Sequence, residues 1–230
     1  MMTLNEAIEC RHSVRRYSER ELPAKIVSSL ETKIGQLNEA GNLHMQLVCD
    51  EPKAFKGIFA YGKFYGVRNY VVVAGVKKDE LDERAGYFGQ QLVLYAQTLG
   101  LNTCWVGLSY RKIADTFTLE PGEKVVCYIA IGYGENQGVG HKTKTPGQLS
   151  NVSADSPEWF VRGVDGARLA PTAVNQQKFY LQYLAPEHPG AKPRVRAERL
   201  RSLVGYTRID LGIVRCNFEI AAGKDNFVWA

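Results

Sequence analysis

No apolar run in this chain approaches the length of a membrane span, and no secretory signal opens it. Cysteine gives no framework either. The five thiols, Cys10, Cys49, Cys104, Cys127 and Cys216, are odd in number, widely scattered and without a C-x-x-C pair. That spacing argues against a zinc ribbon or a disulfide scaffold, and no metal site is expected. The expectation is free thiols in a reducing cytoplasm, with no membrane partner. Charge of one sign is not in large excess. A net charge of +5 favours anionic ligands slightly and does not by itself indicate nucleic acid.

What is present fits a globular protein. The 230 residues are 45% hydrophobic and 23% charged, enough for one sizeable domain or two small ones. Thr3 and Glu6 have capping-box spacing, and Leu4, Ala7 and Ile8 then share a helical face. Arg11-His12-Ser13-Val14-Arg15 therefore sits at a helix C-terminus. Cations are favoured there without any ligand. The same pentamer also presents two guanidinium forks flanking a hydroxyl, a donor set suited to phosphate.

Apolar spacing predicts a helix over 24–38, a strand over 43–49 and a buried strand over 70–75. Between them, Phe55, Phe59, Tyr61, Phe64 and Tyr65 are interleaved with glycine, as a loop or short helices beside a pocket. A long helix over 84–99 has Gly100 well placed to end it. Residues 104–107 read as extended, 109–117 as a short helix and 125–131 as a second buried strand. The polar stretch 138–148 has the composition of a linker. A helix over 157–170 stops at Pro171, a strand covers 179–184, and the basic, proline-containing 185–201 reads as a solvated hairpin end or loop. A last helix covers 208–222.

These elements repeat. Helix 24–38, a break at Asn42 and strand 43–49 parallel helix 157–170, a break at Asn175 and strand 179–184. The stretches Gly89 to Gly100 and Gly212 to Gly223 have equal length, each inside a helix, with Trp105 and Trp229 following. The expected organisation is two related halves, 1–150 and an abbreviated 155–230. Only the first carries Arg-x-Ser-x-Arg. Only the second carries Pro171-Thr172-Ala173-Val174-Asn175-Gln176-Gln177, where a hydroxyl and side-chain amides follow a helix stop.

Together these motifs resemble the FMN-dependent nitroreductase superfamily. Arg11-His12-Ser13-Val14-Arg15 is similar to its R-R-S-x-R signature, with His12 in place of the second arginine. Residues 170–179 resemble its A-P-S-x-x-N-x-Q-P-W signature, with Thr172 for serine. Residues 96–107 resemble A-x-x-L-G-L-x-x-x-W-x-G. Ile129-Ala130-Ile131-Gly132-Tyr133 and the pair Lys142 and Lys144 before Pro146 follow in family order.

The resemblance implies an α+β sandwich: a central, mostly antiparallel sheet flanked by helices, with FMN held at a subunit interface. Here the good copy of the partner loop lies in the second half, so one chain would form a pseudo-dimer, with or without further homo-oligomerisation. By family analogy Arg11, Ser13 and Arg15 would bind phosphate and ribityl, His12 would add a backbone contact, and Lys142 and Lys144 would add charge. Val106, Gly107 and Leu108 would bring N–H groups near the flavin N5. Pro171, Thr172, Ala173 and Asn175 would hold the ring edge. The implied activity is ping-pong oxidation of NADH or NADPH with a small flat acceptor, a nitroaromatic or quinone, and no catalytic side chain is required. The alternatives are a flavin-binding module without turnover and other flavin chemistry on the same fold.

Overall fold

The structure, a computed structural model, describes residues 2–56 and 64–230. Phe59 and Tyr61 lie outside the described residues. Helix α1 (Leu4–Cys10) starts at a complete capping box: Thr3 Oγ1 accepts from the Glu6 N–H at 3.2 Å and Glu6 Oε2 accepts from the Thr3 N–H at 2.7 Å. Helix α2 (Ala24–Gly41) ends on Asn42 in the left-handed conformation, and β1 (Gln46–Val48) follows. Then come β2 (Asn69–Val76), α3 (Leu81–Thr98), β3 (Asn102–Val106) and β4 (Glu123–Gly132). Gly100 has a φ of 78° just past α3, a conformation that favours glycine.

The first sheet has the order β1-β2-β4-β3, with every neighbouring pair antiparallel. Alternation along β2 and β4 divides its two faces. Val71, Val73, Cys127, Ile129 and Ile131 pack under α2 and α3, while Tyr70, Val72, Tyr128 and Ala130 face Val14, Tyr17 and Phe55 on the other side. Both faces are buried, so these strands read as continuous apolar runs.

The rest of the chain forms α4 (Pro146–Leu149), α5 (Glu158–Arg168), β5 (Phe179–Leu184), β6 (Arg194–Arg199), α6 (Thr207–Ala222) and β7 (Val228–Trp229). A second sheet has the order β5-β6-β7, antiparallel then parallel. Its core gathers Phe160, Val164, Phe179, Leu181, Val214 and Phe218. Each such fully buried side chain contributes about 1.5–3 kcal/mol. Leu149 and Val152 pack into this second core, as do Trp105 and Val126 of the first sheet.

The two sheets share a connectivity once β4 is set aside. In each, a first strand runs antiparallel to a second, and a helix leads from the second to a strand parallel to it. In the first sheet β4 is inserted between that parallel pair; in the second, β6 and β7 pair directly. Helices α3 and α6 cross at two glycines. A Cβ on Gly86 would overlap the Ile209 carbonyl, and one on Gly212 would overlap the Glu83 carbonyl. Each glycine thus meets the turn preceding its counterpart. The register pairs Gly212 with Gly86 rather than with Gly89.

Three local expectations differ from the structure. Residues 109–117 form turns, not a helix: Asp115 is left-handed at φ 64°, and Thr116 Oγ1 closes back on the Ile113 carbonyl at 2.9 Å. The basic segment 185–201 closes the hairpin of β5 and β6, and beyond that end it contains β6 itself, whose inward positions are only Val195 and Ala197. Within 138–148, Thr145 and Gln148 form a capping box and start α4. No described helix is long and apolar enough to cross a membrane.

Candidate functional site

The chain leaves α1 at Arg11 in extended conformation and runs beside β3: Ser13 bridges to Thr103, and the Val14 N–H donates to the Thr103 carbonyl at 3.1 Å. That pairing lays residues 11–15 along the strand that ends in Val106. Gly107 and Leu108 follow the last paired residue of β3, so their N–H groups stand outside the ladder. A cavity of about 290 Å³ opens here. Ser13 and Arg15, Trp105 to Ser109, Pro171 to Val174, and Tyr206, Ile209, Asp210 and Ile213 line it. It therefore lies between residues of the two halves. Gly107 approaches the opposite wall closely: a Cβ there would sit 2.7 Å from the Tyr206 ring, which would have to shift.

Arg11 does not line the cavity. It is 3% exposed, and its Nε and Nη1 have no hydrogen-bond partner among the described residues. Burial lowers its pKa to about 10, which leaves it charged at neutral pH. A buried guanidinium with open donors is costly unless an anion meets it. His12 is half-buried beside Gly138. Burial lowers its pKa first, and the positive charges of Arg11 and His141 add to that.

The segment 171–177 is strained. Val174, Asn175 and Gln177 have φ of 45°, 55° and 46°, the left-handed region. Thr172 Oγ1 accepts from the Gln177 N–H at 3.1 Å. Asp210, on α6, accepts from the Ala173 N–H at 2.9 Å and from Gln176 Nε2 at 2.6 Å. Burial raises the Asp210 carboxyl to about 6, against the pull of those two hydrogen bonds.

Lys142, Lys144 and Asn175 are not among the cavity-lining residues. They support the loop. Asn175 Nδ2 and Gln177 Nε2 each donate to the Lys142 carbonyl at 2.9 Å, and Lys144 Nζ donates to the Gln177 carbonyl at 2.9 Å. Of the residues singled out from the sequence, Ser13, Arg15, Val106, Gly107, Leu108, Pro171, Thr172 and Ala173 meet at the cavity. Asp210 and Tyr206 escaped that reading. Asp210 is a lone acid inside Ile209-Asp210-Leu211-Gly212-Ile213, and a buried carboxyl in an apolar helix face is the available signal. Phe55 is buried against Tyr70 and Tyr128, and neither it nor the exposed Tyr65 lines this cavity.

The sequence profile of the family described as "Putative TM nitroreductase" matches residues 3–222. The chain belongs to this nitroreductase family. Among solved structures it is similar to one described as a putative nitroreductase from Thermotoga maritima. They share 22% identity over 97% of this chain and 85% of that one, with a TM-score of 0.67. A putative NAD(P)H:FMN oxidoreductase from Staphylococcus epidermidis matches at 15% identity, over 65% of this chain and 95% of its own, with a TM-score of 0.53. A putative NADH oxidase from Clostridium acetobutylicum matches at 18% identity, over 66% and 99%, with a TM-score of 0.50. No curated protein matches. The nitroreductase fold is thus shared across sequences that have diverged widely.

Proposed function

We propose that this nitroreductase-family chain binds one FMN in the cavity between its halves and oxidises NAD(P)H, passing the electrons to a flat acceptor such as a quinone or nitroaromatic. The observation that carries this is Arg11: a charged, buried guanidinium with two open donors, next to Ser13 and Arg15 at the cavity edge. The donor set fits a phosphate monoester.

FMN, when bound, supplies an acceptor for the hydride of NAD(P)H and a two-electron donor to the acceptor. The chain's own residues bind and orient. Ser13 and Arg15 line the cavity and would hold the phosphate, and the buried charge of Arg11 beside them in the chain would add to its attraction. The N–H groups of Gly107 and Leu108, free of the β3 ladder, donate to the ring. Thr172 and Ala173 set the facing wall, and Asp210 fixes that wall to α6. Leu108 and Val174, each 79% exposed, give the mouth an apolar rim suited to a flat acceptor.

The two halves take the places of two subunits in this proposal. The mutual approach of Gly86 and Gly212 and the shared strand connectivity support it. So does the length of the Staphylococcus epidermidis chain, nearly all of which corresponds to about two thirds of this one.

Purified protein is expected to carry the absorbance of oxidised flavin, to bleach under NAD(P)H and to recover with a quinone. Arg11→Ala with Arg15→Ala is expected to weaken FMN binding by about 10- to 100-fold for each charged hydrogen bond lost. Unchanged FMN affinity in that variant sinks the phosphate assignment. Flavin that binds but does not bleach reduces the function to flavin holding.

A further inference from the structure

Beside the cavity lies a groove of about 810 Å³, and its lining is basic. Lys178, Arg199, Arg201 and Arg208 face it, together with residues 202–207. Val204 and Tyr206 line both the groove and the cavity, so the two are continuous.

The fold gathers these cations from separate stretches. Pairing of β5 with β6 sets Phe179 against Arg199, and the Leu200 N–H donates to the Lys178 carbonyl at 2.9 Å. Lys178 is thereby held next to Arg199 and Arg201. Arg199 Nη1 donates to Thr207 Oγ1 at 3.2 Å, which fixes its guanidinium at the start of α6. Arg208, in the first turn of α6, sits where a cation is disfavoured by the helix dipole.

The compensating acids are few. Among the described residues, no carboxylate pairs with Lys178, Arg199 or Arg201. Arg208 reaches the Asp79 carboxylate only at 3.8 Å. Asp82, the acid lining the groove, is already taken by Lys124 Nζ at 2.9 Å. Four cations on one concave surface repel one another and raise the local concentration of anions. Three are arginines, whose planar forks match phosphate oxygens.

We infer that this groove holds the phosphates of the reducing dinucleotide and makes the 2′-phosphorylated form, NADPH, the preferred reductant. The inference rests on the flavin reading for the cavity, into which the nicotinamide end passes over Tyr206 and Val204. A pyrophosphate bridge alone carries two charges. The 2′-phosphate of NADPH adds about −1.5 to −2 more at neutral pH, which brings the ligand's charge to that of the four cations.

The test uses the full chain and two readouts. Calorimetry with 2′-phospho-ADP-ribose measures the groove without any turnover. Steady-state kinetics with a quinone measure KM and kcat for NADPH and NADH. Wild type is expected to bind 2′-phospho-ADP-ribose at least tenfold more tightly than ADP-ribose, and to show the same preference in KM. Lys178→Ala with Arg201→Ala is expected to remove that preference while FMN content and kcat stay unchanged. Equal binding of the two ADP-ribose forms by wild type overturns the inference. Inorganic pyrophosphate binding as tightly as 2′-phospho-ADP-ribose overturns it too, as does capture of a single-stranded oligonucleotide in its place. A protein that binds 2′-phospho-ADP-ribose but neither FMN nor a quinone keeps the groove and loses the flavin reading. A yellow, active protein that ignores the 2′-phosphate does the reverse.

Discussion

Arg11 and Asp210 are opposite charges carried into the interior for different reasons. Arg11 holds open donors at 3% exposure, an arrangement that costs stability in the absence of an anion. Arg11→Met is therefore expected to melt at or above wild type without FMN and to lose the stabilisation that FMN confers on wild type, as read by scanning calorimetry with and without flavin. Asp210 titrates at about 6 in the folded chain against an ordinary value of 3.8. Between those values the folded state holds a proton that the unfolded state releases, so this group makes stability fall as pH rises through the window. The span corresponds to about 3 kcal/mol at most. Asp210→Asn removes the slope, so wild type should lose more melting temperature than the variant between pH 4 and pH 7. Parallel profiles would contradict the assignment. The sequence reveals Arg11, Ser13 and Arg15 as a donor cluster. It does not reveal that Arg11 is buried, because burial depends on β3, distant in sequence. Lys142 and Lys144 are visible as a basic pair, but their bonds to Gln177 depend on how the 171–177 loop folds back.

Elements with long apolar periodicity were readable, and short ones were not. Helices α2, α3, α5 and α6 and strands β2 and β4 have enough repeats of their pattern to stand out. Strand β6 has two inward residues among arginines, and α4 is a single turn whose Thr145-Pro146 start is its whole signal. The turn at 109–117 mimics a helix because Ile113 and Phe117 both face the core, a spacing that a compact turn also provides. The crossing of α3 and α6 has no room for a side chain at its closest point. Gly212→Ala is expected to push the helices apart at a cost of about 1–3 kcal/mol or more, measured by denaturant unfolding. At the N-terminus, Thr3→Ala removes the cap of α1 and should cost about 1 kcal/mol in the same measurement.

For the whole molecule, the cavity takes lining from both cores, so neither half contains it. A fragment of residues 1–150 lacks Pro171 to Val174, Tyr206 and Asp210, and is expected not to retain FMN on gel filtration. It also bares the α3 surface that α6 covers, which favours aggregation. The strand-helix-strand order that both sheets share was readable from the spacing of the elements. The absence of a β4 counterpart from the second sheet was not, since strand pairing is long-range.

The close fit of α3 against α6 has a consequence for a severed chain. Val139 stands 86% exposed on the segment that joins the first sheet to α4, so a nick there removes no packing of its own side chain. The two pieces would still present matching glycine-notched helices. Folding would then become a second-order association, and flavin capture by the co-expressed pieces would depend on their concentration. Such a split pair would report its own reassembly by its colour.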